Sequence, residues 1–311
     1  MVAPRFTRTM KIAVLSTRSG WHIDELQRAI LERGHQPFLL QYESLVARLG
    51  PRADDAPRLG ANAPDLFECD AVVARIIPNG SLEQIIYRID ALHWLEDAGI
   101  AVVNPPRAIE RTVDKFYTSA LLERAGLATP QTIVCERAED AAAAFRLVGD
   151  VIVKPLFGSM GLGMVRVSDE ETAWRVFRAL EAIRGVYYLQ RAIPHDGRDI
   201  RAFVIGDSVV AAIERRSPGW RTNISRGGEA SSISLPADLT EMALRAARAV
   251  GAVYAGVDLL PARDGTVYVL EVNGIPGWRG LQDATSFDVA GALIDQVALT
   301  HRARRTARGS E

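Results

Sequence analysis

The sequence predicts an α/β protein, with an open parallel layer at the N-terminus followed by a larger α+β region of antiparallel hairpins. Three observations carry this. Apolar runs alternate with amphipathic helical segments up to about residue 105, the βαβα texture of a parallel sheet. Later strands are joined by short turns, Gly206-Asp207 and Asp264-Gly265, which mark hairpins. A chain of 311 residues, 48% hydrophobic and 24% charged, also exceeds what one ordinary domain needs and has the balance of a soluble globular protein.

In chain order, KIAVLS reads as a buried strand and IDELQRAILERG as an amphipathic helix that Gly34 stops. QPFLLQY is a second strand, PRADDAPRLGANAP an irregular connection and DAVVARII a third strand. Ser81 is placed to cap the helix SLEQIIYRIDALHWLEDAGI, and AVVNP is a fourth strand ended by prolines. A single helical run, AIERTVDKFYTSALLERAG, then leads to a short strand and the helix EDAAAAFRLV. VIVKPLFGSMGLGMVRV is two strands around a glycine loop, and EETAWRVFRALEAI is a helix. The strands VYYLQRAI, DIRAFVIG, DSVVAAIERR, AGVDLL and TVYVLEVN follow. The end, HRARRTARGSE, reads as a solvated tail, and Trp174, Phe177, Leu121 and Leu122 as core.

Composition excludes several classes. A formal net charge of -1 argues against a general nucleic-acid binder. The two cysteines, Cys69 and Cys135, form no CxxC pair, so neither a disulfide framework nor a zinc site is indicated and a reducing cytoplasm fits. The start MVAPRFTRTM lacks a signal-peptide core, and no apolar run has the length of a membrane span. The histidines show no zincin spacing, and no GxSxG elbow is present.

Three features carry chemistry. If Asp264-Gly265 is a two-residue turn, counting back sets Asp258 opposite Glu271 and Gly256 opposite Asn273, with Val257, Leu259, Leu270 and Val272 on the other face. Opposed carboxylates need neutralising, and an oxygen-only set suits Mg²⁺. The other reading is a solvent-facing edge whose acids pair with Arg or Lys. Second, Gly158, Gly161 and Gly163 let backbone amides approach a polyphosphate, with Ser159 adding a hydroxyl and Lys154 a cation; a mobile hairpin tip is the plainer alternative. Third, Asp199, Arg201 and Phe203 share one strand face that points toward a site or toward solvent, and Arg215, Arg216, Arg221, Asn223 and Arg226 gather in a glycine-rich loop, a cluster suited to an anion although each arginine alone reads as structural.

Taken in order, VDKFYTSALLERAGLATP, VIVKPLFGSMGLGM, YLQRAI, GRDIRAFVIGD, RTNISRGG, AGVDLL and LEVNGIPG resemble the ATP-grasp superfamily, specifically the RimK-type α-L-glutamate ligases. The resemblance implies a pre-ATP-grasp domain over 1–105 and a two-lobed grasp, with the small lobe over 106–188 and the large lobe over 189–311. It implies that Lys115 and Lys154 hold ATP phosphates under the 158–163 loop, that Gln190, Arg191, Ala192 and Ile193 form the hinge against adenine, and that Asp199 and Arg201 lie further along the pocket. Arg221 and Asn223 would act with Lys154 as catalytic groups at the terminal phosphate, and Asp258, Glu271 and Asn273 would bind Mg²⁺ or Mn²⁺ as two ions. The implied reaction forms an amide through an acylphosphate, in a cytoplasmic homo-oligomer acting on L-glutamate and a carboxylate-bearing acceptor, with neither nucleic acid nor membrane as partner. The PGWRGLQ ending looks most similar to ligases that act on tetrahydromethanopterin-type one-carbon carriers, with Trp278 and Arg279 suited to the acceptor. Glutamylation of a ribosomal or other protein tail, or a nucleotide-binding protein without ligase activity, are the alternatives.

Overall fold

The structure of the protein is a computed structural model that describes residues 8–17, 19–50, 56–61, 65–158, 161–217, 219 and 229–308. The N-terminal layer contains β1 (Lys11–Ser16), α1 (Trp21–Glu32), β2 (Gln36–Gln41), a two-stranded ribbon of β3 (Val46–Ala47) and β4 (Leu59–Gly60), β5 (Ala71–Ala74), α2 (Leu82–Asp97) and β6 (Ala101–Val103). Its strands run parallel in the order β2-β1-β5-β6. Ser81 caps α2 as expected, within a reciprocal capping box with Gln84. Gly34, at φ 71°, ends the turn after α1.

The run expected as one helix is two, α3 (Pro106–Val113) and α4 (Lys115–Arg124). Asp114 between them is extended, and its side chain accepts from Tyr117 N–H to start α4 afresh. Lys115 thus becomes the first residue of a helix, a place the helix dipole disfavours for a cation. A second sheet and its helices follow, with β7 (Thr132–Cys135), α5 (Ala138–Val148), β8 (Val151–Lys154), β9 (Val165–Val167), α6 (Glu170–Ala182) and β10 (Tyr187–Arg191). That sheet is ordered β7-β10-β8-β9. Phe177 is core, whereas Trp174 lies 65% exposed on the outer face of α6.

The remaining elements are β11 (Arg198–Ile205), β12 (Ser208–Arg216), β13 (Glu229–Ser232), α7 (Ala237–Val250), β14 (Tyr254–Pro261), β15 (Val267–Asn273), α8 (Arg279–Thr285) and α9 (Val289–Arg308). An antiparallel sheet β13-β12-β11-β14-β15 organises them. One of its faces packs Ile200, Ala202, Val257 and Val272 against α7. Phe203, Ile205 and Tyr254 on the other face share a core with β1, α1, Trp278 and α9. The tail therefore differs from expectation, because α9 runs through residue 308. Arg304 pairs with Glu96, and the His301 ring lies 2.8 Å from the Asp70 carbonyl. Two ordered polar anchors hold this end to the N-terminal layer. No helix among the described residues is long and apolar enough to cross a membrane.

The β14–β15 hairpin departs from simple counting at two points that cancel. The turn is a three-residue loop, since Ala262 and Thr266 are joined by a hydrogen bond of 2.8 Å. A bulge after Asp258 then leaves Leu270 unpaired and restores Asp258 opposite Glu271 and Gly256 opposite Asn273. Val269, 1% exposed, takes the core position expected of Leu270, which lines a cleft instead. Val269→Ala should accordingly destabilise the protein by about 2 kcal/mol in chemical denaturation, whereas Leu270→Ala costs under ~1 kcal/mol. Equal costs would place the bulge wrongly.

Candidate active site

A cleft of about 630 Å³ opens between the β7-β10-β8-β9 sheet and the β11-β14-β15 face. From the first side, Lys154 at the end of β8 is buried and donates to Gln190 Oε1 at 2.6 Å. The Gln190 amide nitrogen donates to Thr132 Oγ1 and to the Tyr188 hydroxyl at 3.1 and 3.2 Å, which fixes its oxygen toward the lysine. Burial pushes the Lys154 ammonium down to about 8, with Glu271 opposing the shift. Lys115, at the start of α4, reaches the Gly158 carbonyl at 2.8 Å, and burial lowers its pKa as well. The α3–α4 break thus aims a cation at the glycine loop.

Gly158 and Gly161 line the cleft. Gly163 packs behind them at φ 74°, where a Cβ would come within 2.7 Å of Pro155 Cγ. Arg191, Ala192 and Ile193 line the cleft beside Gln190. Ser159, Arg221 and Asn223 fall outside the described residues.

Across the cleft, neighbouring strands place charges side by side on one sheet face. Asp199 on β11 faces Arg215 on β12, Arg201 on β11 faces Asp258 on β14, and Asp258 faces Glu271 on β15. Arg215 grips both Asp199 oxygens at 2.6 and 2.7 Å and reaches Asp258 at 2.9 Å. Arg201 holds Asp258 through two bonds of 2.7 Å and stands 3.7 Å from Glu271. Burial would raise the Asp258 carboxyl, but the two guanidiniums outweigh it and hold the group well below the carboxylate range. Glu271 moves the other way, raised first by burial and then by the Asp258 charge. Arg215 was not expected within this set, although it belongs to the arginine-rich segment noted above. Its signal is hidden because β12 carries an extra residue opposite Phe203 and Val204, which shifts the register by one.

The donor chemistry of the acid edge fits a hard divalent cation. Glu271 lines the cleft beside Asp258, so the two acids present oxygen donors to one side of it. No cluster of three or more His, Cys, Asp or Glu suited to a metal occurs among the described residues, so the edge is two carboxylates plus the Asn273 amide. Asn273 Oδ1 accepts from Ile275 N–H at 3.0 Å and keeps a second lone pair.

Residues 10–109 match the RimK PreATP-grasp domain and residues 112–297 match the RimK-like ATP-grasp domain. The chain is 33% identical over 293 residues to a tetrahydromethanopterin:alpha-L-glutamate ligase of Methanococcus maripaludis, covering 93% of this chain and 98% of that one. It is 35% identical to an Escherichia coli ribosomal protein bS6--L-glutamate ligase, covering 92% and 94%. In three dimensions it resembles the ATP-grasp ligase PsnB complexed with a phosphomimetic variant of its minimal precursor, Mg and ADP, at a TM-score of 0.73 and 24% identity, covering 93% and 98%. The chain belongs to the RimK-like ATP-grasp family. Within it, the protein is an ATP-dependent enzyme that forms carbon-nitrogen bonds, and the fold implies ATP and Mg²⁺.

Trp278 corrects the expected acceptor surface. It is fully buried, with the Arg75 guanidinium 4.6 Å from its ring, and so anchors the core; only Arg279 of the pair is exposed. His22 Nε2 accepts from Trp278 N–H at 3.1 Å, and burial, then Arg75 and Arg279, lower the His22 pKa to about 4.

Two outcomes follow. Asp199→Ala should cost about 3–5 kcal/mol in chemical denaturation because it leaves Arg215 buried with one partner fewer, and Asp199→Leu combined with Arg215→Met should recover part of that loss. Between pH 6.5 and 4 the unfolded chain takes up a proton at His22 that the folded chain refuses, so stability falls as pH drops through this window. In thermal melts across that range, His22→Gln should give a shallower fall than the parent protein.

Proposed function

We propose that the protein joins the amine of L-glutamate to a carboxylate of a tetrahydromethanopterin-like coenzyme. The likeness to the Methanococcus maripaludis ligase over nearly the whole of both chains carries this reading. The γ-phosphoryl group of ATP passes to an acceptor carboxylate oxygen, leaving ADP. The glutamate amine then attacks the acylphosphate carbon, expels phosphate, loses a proton and leaves an amide.

Each residue has a role in this scheme. Lys115 and Lys154 neutralise phosphate oxygens, and Gly158, Ser159, Gly161 and Gly163 cover them, which shields the acylphosphate from water. Gln190 through Ile193 face the base. Asp199 acts through Arg215, while Arg201 and, outside the described residues, Arg221 and Asn223 would serve the terminal phosphate. Asp258, Glu271 and Asn273 would hold two Mg²⁺ ions, whose chemistry is to offset the charge gathered on the transferring group. The enzyme works as a cytoplasmic homo-oligomer with a leading domain to residue 105 and two lobes, whose boundary, expected at 188, we set after β10 because that strand belongs to the β7-β10-β8-β9 sheet.

A second reading rests on the Escherichia coli relative, which is named for a ribosomal protein substrate and matches over a comparable length. Incubation with ATP, Mg²⁺, glutamate and a panel of pterin and peptide acceptors, followed by mass spectrometry, separates the two. A 1:1 release of ADP with glutamylated pterin is the expected result, and glutamylated peptide alone would favour the second reading. Glu271→Gln should abolish turnover with the thermal melt unchanged within a few degrees; undiminished turnover would remove Glu271 from the metal site.

A further inference from the structure

The loop Gly274–Trp278 begins at the acid edge, and three side chains of the N-terminal layer hold its backbone. Asn104, just after β6, is fully buried. Its amide nitrogen donates to the Gly274 carbonyl and to the Tyr254 carbonyl, the latter at 2.8 Å, while its oxygen accepts from Val253 and Tyr254 N–H at 2.7 and 3.0 Å. One amide therefore ties the first residue of β14 to the residue that follows Asn273. Arg75, just after β5, donates to the Pro276 carbonyl and the Tyr254 hydroxyl, both at 3.1 Å, with its guanidinium over Trp278. His22 on α1 accepts the Trp278 amide.

Arg75 stands out energetically. It is 2% exposed, and among the described residues no carboxylate pairs with it. A buried cation without a counter-anion is a weak source of stability, and an apolar side chain of similar volume would cost less. What it supplies is direction, since a planar fork fixes a carbonyl, a hydroxyl and a ring relative to one another.

The loop in turn presses on the acid edge. Pro276 Cβ lies 3.1 Å and Arg201 Nε 3.6 Å from where a Cβ on Gly256 would sit, and Gly256 faces Asn273 across the hairpin. A Cβ on Gly274 would meet Thr112 Oγ1 at 2.4 Å, so the loop has no room to move toward α3. Ile275 N–H holds Asn273 Oδ1. Loop position thus sets the Asn273 amide and the end of β15, whose Glu271 lines the cleft.

We infer that Arg75, Asn104 and His22 are positioning residues of the N-terminal layer, which fix the Gly274–Trp278 loop and through it the orientation of the Asn273–Glu271 edge toward its cation. This rests on the reading of that edge as the Mg²⁺ site. Groups that orient ligands from behind typically alter metal affinity by 10–100-fold when removed. The test is ADP affinity of the full chain, titrated against Mg²⁺ by calorimetry, for the parent, Arg75→Met, Arg75→Lys and Val297→Ala. Val297 is buried in the core that also holds Trp278 but has no polar side-chain group, so its variant lowers stability without removing a hydrogen bond to the loop backbone. Arg75→Met should raise the half-saturating Mg²⁺ about 10-fold, Arg75→Lys should recover part of the shift, and Val297→Ala should leave it unchanged. If Arg75→Met does not fold, His22→Gln serves, with a rise of about threefold or more expected. A lower melting temperature with unaltered Mg²⁺ dependence in the Arg75 or His22 variant overturns the inference while the metal reading stands. ADP affinity independent of Mg²⁺ in the parent overturns the metal reading and the inference with it.

Discussion

Asp258 sits where the charge problem of this protein is solved. Its carboxylate is buried, opposite Glu271, and held by Arg201 and Arg215 together. Removing either guanidinium would leave the acid with one cation in place of two, in a setting where burial alone raises carboxyl pKa values. Because the two arginines come from β11 and β12 and the two acids from β14 and β15, the register of four strands must hold at once. The sheet is what makes the site possible.

That sheet serves two purposes along the same strands. On β11 one face carries Asp199 into the cleft and Arg201 onto Asp258 at its edge, then Phe203 and Ile205 into the core shared with α1 and α9. The polar site and the junction with the N-terminal layer are therefore consecutive stretches of one surface. The opposite face, with Ile200, Ala202 and Val204, is apolar throughout and backs onto α7. Such a backing keeps the charged face from shifting, as ligands placed on strands are held more closely than those on loops.

Much of this was legible in the residues. The parallel layer followed from alternating strands and helices, the α2 cap from Ser81, and the acid pair from a hairpin count that reached the right register through two compensating irregularities. The same kind of count on β11–β12 misses Arg215 opposite Asp199, because a single bulge there has no second one to cancel it. Trp174 and Trp278 were both misplaced for one reason. An aromatic residue at helical spacing, or beside an arginine, has the same local pattern whether it faces core or solvent, and only the packed neighbours decide.

By itself the sequence determined the alternation of elements, the glycine loop, the oxygen-only acid edge and the order of motifs that marks the family. These are properties of neighbouring residues, written in periods of two and 3.6 and in short spacings. Tertiary structure decided which cation meets which acid, the break that turns Lys115 toward Gly158, and the return of α9 and the Gly274–Trp278 loop to the N-terminal layer. Those depend on contacts between residues as far apart as Arg75 and Pro276, or His22 and Trp278. No local pattern encodes such pairs, since each forms only after bulges and turns have set where the strands end.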